Sequence, residues 1–441
     1  MSKNKLMKDT VMLTGSSLAM RGIALVFQIW LVSRIGTAGV GLYGLVSSVS
    51  FFAATVAISG VRFAATRLIS EELGLQRPGG VGKAMKLCIA YSLFFGTASC
   101  SVLFLCAEPI GFLWVGDART VLSLKIIALS MPFMSLSSVF YGYFTACGRI
   151  MYGAAVQIAE QLFRIGLVVV FLSLAPADDL ELSCASVSAA GTAAEIFSFL
   201  LMLLVFTLDR RRHRAEAVNA PRLPARLLNI AVPLALSAYA RTSLSTLEQL
   251  LVPRGLKLAG FSANGALSGY GVIQGMVFPI IFFPSCLLTS LSELIVPELT
   301  AAQVSGRNNE IGRIVRKLLL KSLGYSLFIA LMLFLLSDFL AGTIYDSSEA
   351  GRYIKIFALL VPVMYMDMVT DGCLKGLGQQ VWSMSFNILD ALVGVVLVYF
   401  LLPIYALEGY IFILFFEEIF NFSLSIWRLI SVVRSLTRAP A

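Results

Sequence analysis

The chain has 441 residues, of which 58% are hydrophobic and only 13% charged, with a mean hydropathy of +0.86. Soluble globular proteins carry about a quarter of their residues as Asp, Glu, Lys and Arg, so the composition excludes that class and places the chain in a bilayer. The net charge of +9 has no basic soluble domain to sit on, which excludes a nucleic-acid footprint and leaves membrane topology and anionic headgroups as its meaning.

A spanning helix needs about 20 mainly apolar residues. Twelve such runs follow one another, near 10–33, 39–60, 84–106, 121–145, 153–175, 183–207, 227–252, 266–291, 318–341, 354–376, 383–404 and 409–433. They are too long and continuous for the roughly 10-residue alternating strands of a membrane barrel. With the N-terminus inside, 24 of the 34 Lys and Arg residues fall on inside segments and 7 on outside loops, while Arg21, Arg164 and Arg241 lie within spans. The positive-inside rule therefore puts both termini in the cytoplasm.

Span 1 follows Lys3, Lys5 and Lys8, but it is long, contains Arg21 and lacks a small-residue cleavage pattern, so it reads as a retained helix and not a signal peptide. Gln28 stands seven residues after Arg21, about two turns on, and so shares its face. Gly39-Val40-Gly41-Leu42-Tyr43-Gly44 matches G-x-G-x-x-G yet follows a helix instead of a strand, so the dinucleotide reading fails and close helix packing is expected. The loop after span 2 is basic, with Arg62, Arg67, Arg77, Lys83 and Lys86. Gly82-Lys83 there lacks the upstream glycine of a phosphate-binding loop, so no ATP site is expected.

Span 4 carries Pro132, a kink or hinge. Span 5 holds Glu160 and Arg164 at the four-residue spacing of a structural ion pair, and span 6 holds Glu195. The one long hydrophilic segment, 209–226, has Pro221, Pro224 and six arginines, with His213 among four of them; it reads as a flexible cytoplasmic linker with a solvated histidine.

Span 7 repeats the first motif, with Arg241 and Glu248 seven residues apart, and the loop after span 8 is again basic, with Arg307, Arg313, Arg316, Lys317 and Lys321. Span 10 has Pro362, then Asp367 and Asp371 four apart on one face, an arrangement that favours a shared proton or a bound cation together with Glu248. Span 11 holds Asp390, and span 12 holds Glu417 and Glu418. Pro233, Pro279, Pro284 and Pro403 add further breaks. A charge at bilayer depth costs roughly 2.5–3.5 kcal/mol, so Arg21, Gln28, Arg241 and Glu248 are the candidate substrate-binding residues, and Glu248, Asp367, Asp371 and Asp390 the candidate ion-coupling ones. The seven cysteines are irregularly spaced, which indicates neither a disulfide framework nor a metal site. No cofactor and no catalytic constellation is expected.

Residues 125–172 recur without a gap 230 positions later, as 355–402: Lys125, Ile126, Pro132, Gly142, Gly148 and Ile158 return as Lys355, Ile356, Pro362, Gly372, Gly378 and Ile388, and Glu160 as Asp390, while Arg164 becomes Gly394. Six spans per half is an even number, so the halves enter from the same side as parallel repeats. The expected architecture is an all-α polytopic membrane protein of twelve transmembrane helices in two pseudo-twofold six-helix lobes, with an N-lobe over 1–208, a linker over 209–226 and a C-lobe over 227–441.

The arginine in the first helix, the stretch DGCLKGLGQQ (371–380) followed by NILDALVG (387–394), and LLPIYALEGYIF (401–412) before the last helix resemble the multidrug/oligosaccharidyl-lipid/polysaccharide exporter superfamily. Within it the chain is most similar to the polysaccharide and SpoVB-like flippase branch. That resemblance implies a MATE-like fold and a cationic cavity holding the diphosphate-sugar head of a lipid-linked precursor of the cell envelope, with Arg21 and Arg241 in that role. Guanidinium groups suit a diphosphate because they form bidentate, charge-assisted bonds. The count of twelve helices equally fits the cation-coupled multidrug antiporters, in which Glu248 and Asp371 match the positions that bind H+ or Na+. The expected function is an alternating-access flippase in the bacterial cytoplasmic membrane, acting on an amphiphilic lipid-linked saccharide without ATP, nucleic acid or enzymatic chemistry; the rival is an H+- or Na+-coupled drug antiporter.

Overall fold

The computed structural model describes residues 3–74, 78–175, 179–212 and 223–438, and among these every regular element is helical. The chain runs through α1 (Lys3–Ile58), α2 (Val61–Gly74), α3 (Pro78–Leu105), α4 (Thr120–Ala128), α5 (Met131–Ala146), α6 (Ile150–Leu174) and α7 (Leu180–Arg212). It continues through α8 (Leu223–Leu258), α9 (Ala263–Gly271), α10 (Cys286–Val304), α11 (Asn308–Tyr345), α12 (Ser348–Ala358), α13 (Val361–Gly376) and α14 (Gln380–Arg438). A π-helical turn, Val272–Val277, leads α9 on towards Phe282. His213, Arg77, Pro221 and the middle of the predicted linker lie outside the described residues.

Eight helices are long and apolar enough to cross a membrane, or ten if each of two bent pairs counts as one span, among the described residues. Two of the eight run for 57 residues each, Leu18–Gly74 and Gln380–Leu436. At 1.5 Å per residue each is about 85 Å long, nearly three times the hydrocarbon core. The first is broken at Gly36 (φ 70°) and again at the turn Ser59–Gly60 (φ 45° and 72°) that separates α1 from α2, the second at Ala406 (φ 51°). The predicted count of twelve rests on reading each of them as two spans. Lipid-facing apolar surface is abundant, with Leu105, Leu174 and Leu335 exposed by 77%, 79% and 68%.

The duplication is written in the geometry as well as in the letters. α4 meets α5 at a bend of 44° and α12 meets α13 at 55°, with Pro132 and Pro362 as the second residue of each following helix. Proline is tolerated there because a first-turn N–H has no helical partner to lose; the chain turns just before it, where Ser130 and Leu360 make three-residue bonds back to Ile127 and Phe357. Lys125 pairs with Glu108 at 2.7 Å, and Lys355 with Asp338 at 2.7 Å. These two bridges are again 230 residues apart.

By packing, the chain forms two compact units: one from Met1–Ser16 and Leu42–Thr246, the other from Ser17–Gly41 and Leu247–Ala441. The first is knit by small polar side chains, Ser135 bonding Ala57 O at 2.7 Å and Ser92 Oγ at 2.5 Å, over a core that includes Leu68, Phe144 and Met202. Both described ends of the linker are tied to it: Asp209 accepts from Tyr143 at 2.9 Å and pairs with Arg149, and Arg226 pairs with Glu71 and, at 3.1 Å, with Glu72.

In the second unit the glycine-rich stretch of α1 meets α9. A Cβ at Gly41 would overlap the Leu267 carbonyl, one at Gly271 would overlap the Thr37 carbonyl, and Thr37 Oγ1 lies 2.6 Å from Ser268 Oγ. The letters that imitate a dinucleotide fingerprint are a helix crossing, as small residues in a bilayer predict. Gly41→Val is expected to destabilise the protein by about 1–3 kcal/mol through overpacking. Thermal unfolding in detergent reads this against Gly324→Val, whose Cβ has open space; equal midpoints for the two variants would remove the argument.

Candidate functional site

Arg21, Ala24, Leu25 and Gln28 recur on one face of α1 and line a cavity of about 430 Å³ with Gln274, Pro279, Phe282 and Phe283, all within the second unit. The π-helical turn offers the Gly275 carbonyl to Gln28 Nε2 at 3.3 Å; such insertions often mark functional positions. Arg21 is exposed and joins no ion pair among the described residues. Arg241 is on α8, in the first unit, likewise exposed and without an ion pair among the described residues. Glu248, two turns further on, makes no ion pair with it and packs in the second unit instead.

In the first unit, Glu160 and Arg164 on α6 form the ion pair that their spacing predicts, at 2.7 Å, and Glu195 from α7 joins at 3.1 Å. One guanidinium thus serves two carboxylates. A pocket of about 200 Å³ beside them is lined in part by Tyr43, Ser130, Ser188 and Thr192.

Most of the acids gather in the second unit. Asp367 and Asp371 do not share one counter-ion: Asp371 pairs with Lys375 at 2.5 Å, one turn along α13, and accepts from Ser383. Asp367 accepts from Asn421 Nδ2 at 3.3 Å, while its Oδ1 and Asp390 Oδ1 are buried without a hydrogen-bond partner. Glu248 comes close to Glu417 around Gly394, where a Cβ would overlap Glu417 Oε1 and stand 3.3 Å from Glu248 Cδ. Among the described residues no three acidic, histidine or cysteine side chains converge as metal ligands. All seven cysteines are free thiols.

The limbs of α14 on either side of Ala406 face one another through polar rungs. Arg428 donates to Gln379 at 2.7 Å and lies over the Trp382 ring at 4.4 Å. Asn421 donates to Asn387 at 3.4 Å, and Gly394 stands opposite Glu417. From 379 to 394 this seam rises about 22 Å. Sequence reasoning gave Glu417 little weight and did not single out Asn387, Asn421 or Lys375. The Asp371–Lys375 spacing could have been found, since it obeys the rule that found Glu160–Arg164; the rungs could not, because they join residues 34 and 49 positions apart.

Comparison with known proteins agrees with this geometry. A family model described as polysaccharide biosynthesis protein matches residues 6–285, and one described as MatE matches 258–400. Stage V sporulation protein B of Bacillus subtilis (strain 168) is 26% identical over 412 residues, covering 91% of this chain and 78% of that protein. Sporulation protein YkvU of the same organism is 19% identical over 401 residues, covering 90% and 88%. The inward-facing structure of a multidrug resistance MATE family transporter of the MOP superfamily superposes with a TM-score of 0.70 at 14% identity, over 97% of this chain and 96% of that one. The chain therefore belongs to the polysaccharide biosynthesis protein family, as a multi-pass membrane transporter with the MATE fold.

Proposed function

We infer that this transporter flips an anionic, lipid-linked saccharide precursor of the cell envelope across the bacterial cytoplasmic membrane by alternating access. The observation that carries the reading is Arg21: an exposed guanidinium without a carboxylate partner among the described residues, in a cavity lined otherwise by two glutamines and by the apolar Ala24, Leu25, Pro279, Phe282 and Phe283. Such a lining suits a substrate that is anionic at one end and apolar at the other. Arg241, the corresponding arginine of the repeat, is the other candidate anchor for the anionic head, and the polyprenyl chain stays in lipid. Both termini face the cytoplasm, and the bends before Pro132 and Pro362 are the points about which the lobes rock.

A second reading, cation-coupled drug export, draws on the acids around Glu248, Asp390 and Glu417. These acids serve equally as the coupling site of a flippase driven by an H+ or Na+ gradient. Thermal unfolding of the purified protein with polyprenyl-diphosphate sugars, against cationic drugs, separates the two. A ligand at 100 times its Kd stabilises by about 2.7 kcal/mol; the expected result is that the diphosphate sugars do so and Arg21→Ala abolishes the gain. Stabilisation by the drugs alone would hand the assignment to the antiporter.

A further inference from the structure

The two halves hold the same acidic frame and complete it differently. Glu160 and Arg164 on α6 correspond, 230 residues on, to Asp390 and Gly394 on α14, and Glu195-Ile196-Phe197-Ser198-Phe199 on α7 corresponds to Glu418-Ile419-Phe420-Asn421-Phe422, with Glu417 as an extra acid beside it. In the first unit the Arg164 guanidinium bonds both Glu160 and Glu195. In the second unit that position has no side chain, and the volume a side chain would take is bounded by Glu417 Oε1 and the Glu248 carboxyl.

None of Glu248, Asp390, Glu417 and Glu418 joins an ion pair among the described residues. Glu417 is only 8% exposed, and its Oε1 is buried with no hydrogen-bond donor. A buried carboxylate with neither a counter-charge nor a donor is costly to keep. The second frame is therefore one positive charge short of the first.

We propose that a proton occupies, in the second unit, the place that the Arg164 guanidinium fills in the first, carried on Glu417 and offered to Glu248 across Gly394. This deepens the gradient-driven reading above and rests on it. A proton needs only two oxygens, and it supplies the donor that Glu417 Oε1 lacks. The groups around it come from every neighbouring helix: Glu248 from α8, Asp390 from the first limb of α14, Glu418 from the second, and Asp367 of α13 by way of Asn421. The phenols of Tyr270 and Tyr410 stand near Glu248, Tyr410 accepting from Gln274 at 2.9 Å. No lysine, arginine or histidine forms an ion pair with Glu248, Asp390, Glu417 or Glu418 among the described residues. Gly394 is then the residue that makes the charge exchangeable, and Arg164 the one that makes its counterpart permanent.

The test is the infrared carbonyl band of protonated carboxyl groups in the purified protein, read without substrate. The wild type should show the band. Glu417→Gln should lose one carboxyl's share of it, and so should Gly394→Arg, which supplies a fixed guanidinium where the first unit has one. Arg164→Gly, the mirror change, should gain intensity. If Gly394→Arg does not fold, Glu417→Gln, nearly the same size, decides alone. A wild type without the band, or a band that Glu417→Gln leaves whole, overturns the proposal; so does a band that sodium chloride removes and potassium chloride does not, because sodium would then be the occupant. The band is read without transport, so a protein that shows it yet fails to respond to polyprenyl-diphosphate sugars would refute the flippase reading and leave the proton site standing.

Discussion

Arg164→Ala is expected to cost about 3 kcal/mol of folded stability, the low end of the 3–5 kcal/mol seen when one partner of a buried ion pair is removed. The low end applies because the Arg164 side chain keeps 30% of its surface accessible, while Glu160 and Glu195 keep 15% and 17%. The loss comes from the acids left behind, two carboxylates inside a helix bundle with no counter-charge, more than from the bond removed. Adding Glu160→Gln and Glu195→Gln to Arg164→Ala should therefore recover most of it. Thermal or denaturant unfolding in a fixed detergent measures all of these variants. A loss below about 1 kcal/mol, the usual range of an exposed pair, would mean that the triad is a surface feature and not a structural centre of the first unit.

The second large effect is on transport. Replacing Arg21 or Arg241 by alanine is expected to abolish complementation of a flippase-deficient strain while the protein still reaches the membrane. A hydrogen bond to a charged group contributes about 1.5–3 kcal/mol, which corresponds to a roughly 13- to 160-fold loss of diphosphate binding for each contact removed. Lysine at either position should restore part of the activity, because it keeps the charge and loses the bidentate fork. Full complementation by both alanine variants would end the phosphate-anchor reading. A parallel dye-efflux measurement guards the other side: if Asp371→Asn alone eliminates efflux while Arg21→Ala is tolerated, the antiporter reading stands in its place.

Features carried by one helix were legible in the sequence. Hydropathy located the apolar helices because a bilayer imposes a length, eight of them or ten with the bent pairs among the described residues, and proline marked both bends because it cannot follow an unbroken turn. Arg21 and Gln28 were placed on one face by a seven-residue spacing, and they line one cavity. At Asp367 and Asp371 the spacing does not reveal the partners: Lys375 pairs with Asp371, and Asn421 reaches Asp367 from a different helix. It was silent about Glu417, since nothing within one helix shows that a glutamate will meet a glycine 23 positions earlier in the chain. Long-range meetings of this kind come from helix packing, and one sequence carries them only through its internal repeat. The change from Arg164 to Gly394 was visible from the start, but its weight appeared only when Glu195 and Glu417 were found beside those two positions.

The seam along α14 bears on how the protein is made. Neither limb is a comfortable membrane segment alone: the first would bring Asp390 and Asn387 against lipid, the second Glu417, Glu418 and Asn421, at roughly 2.5–3.5 kcal/mol for each charge near the centre of the bilayer. Facing each other, they hide these groups and leave outward surfaces such as Phe400, Phe412 and Trp427, exposed by 63%, 56% and 62%. The ribosome delivers the first limb before the second exists, so Asp390 and Asn387 are without these partners until the second arrives. The polar face shared by the last two spans is in this sense completed late, when the helical hairpin closes.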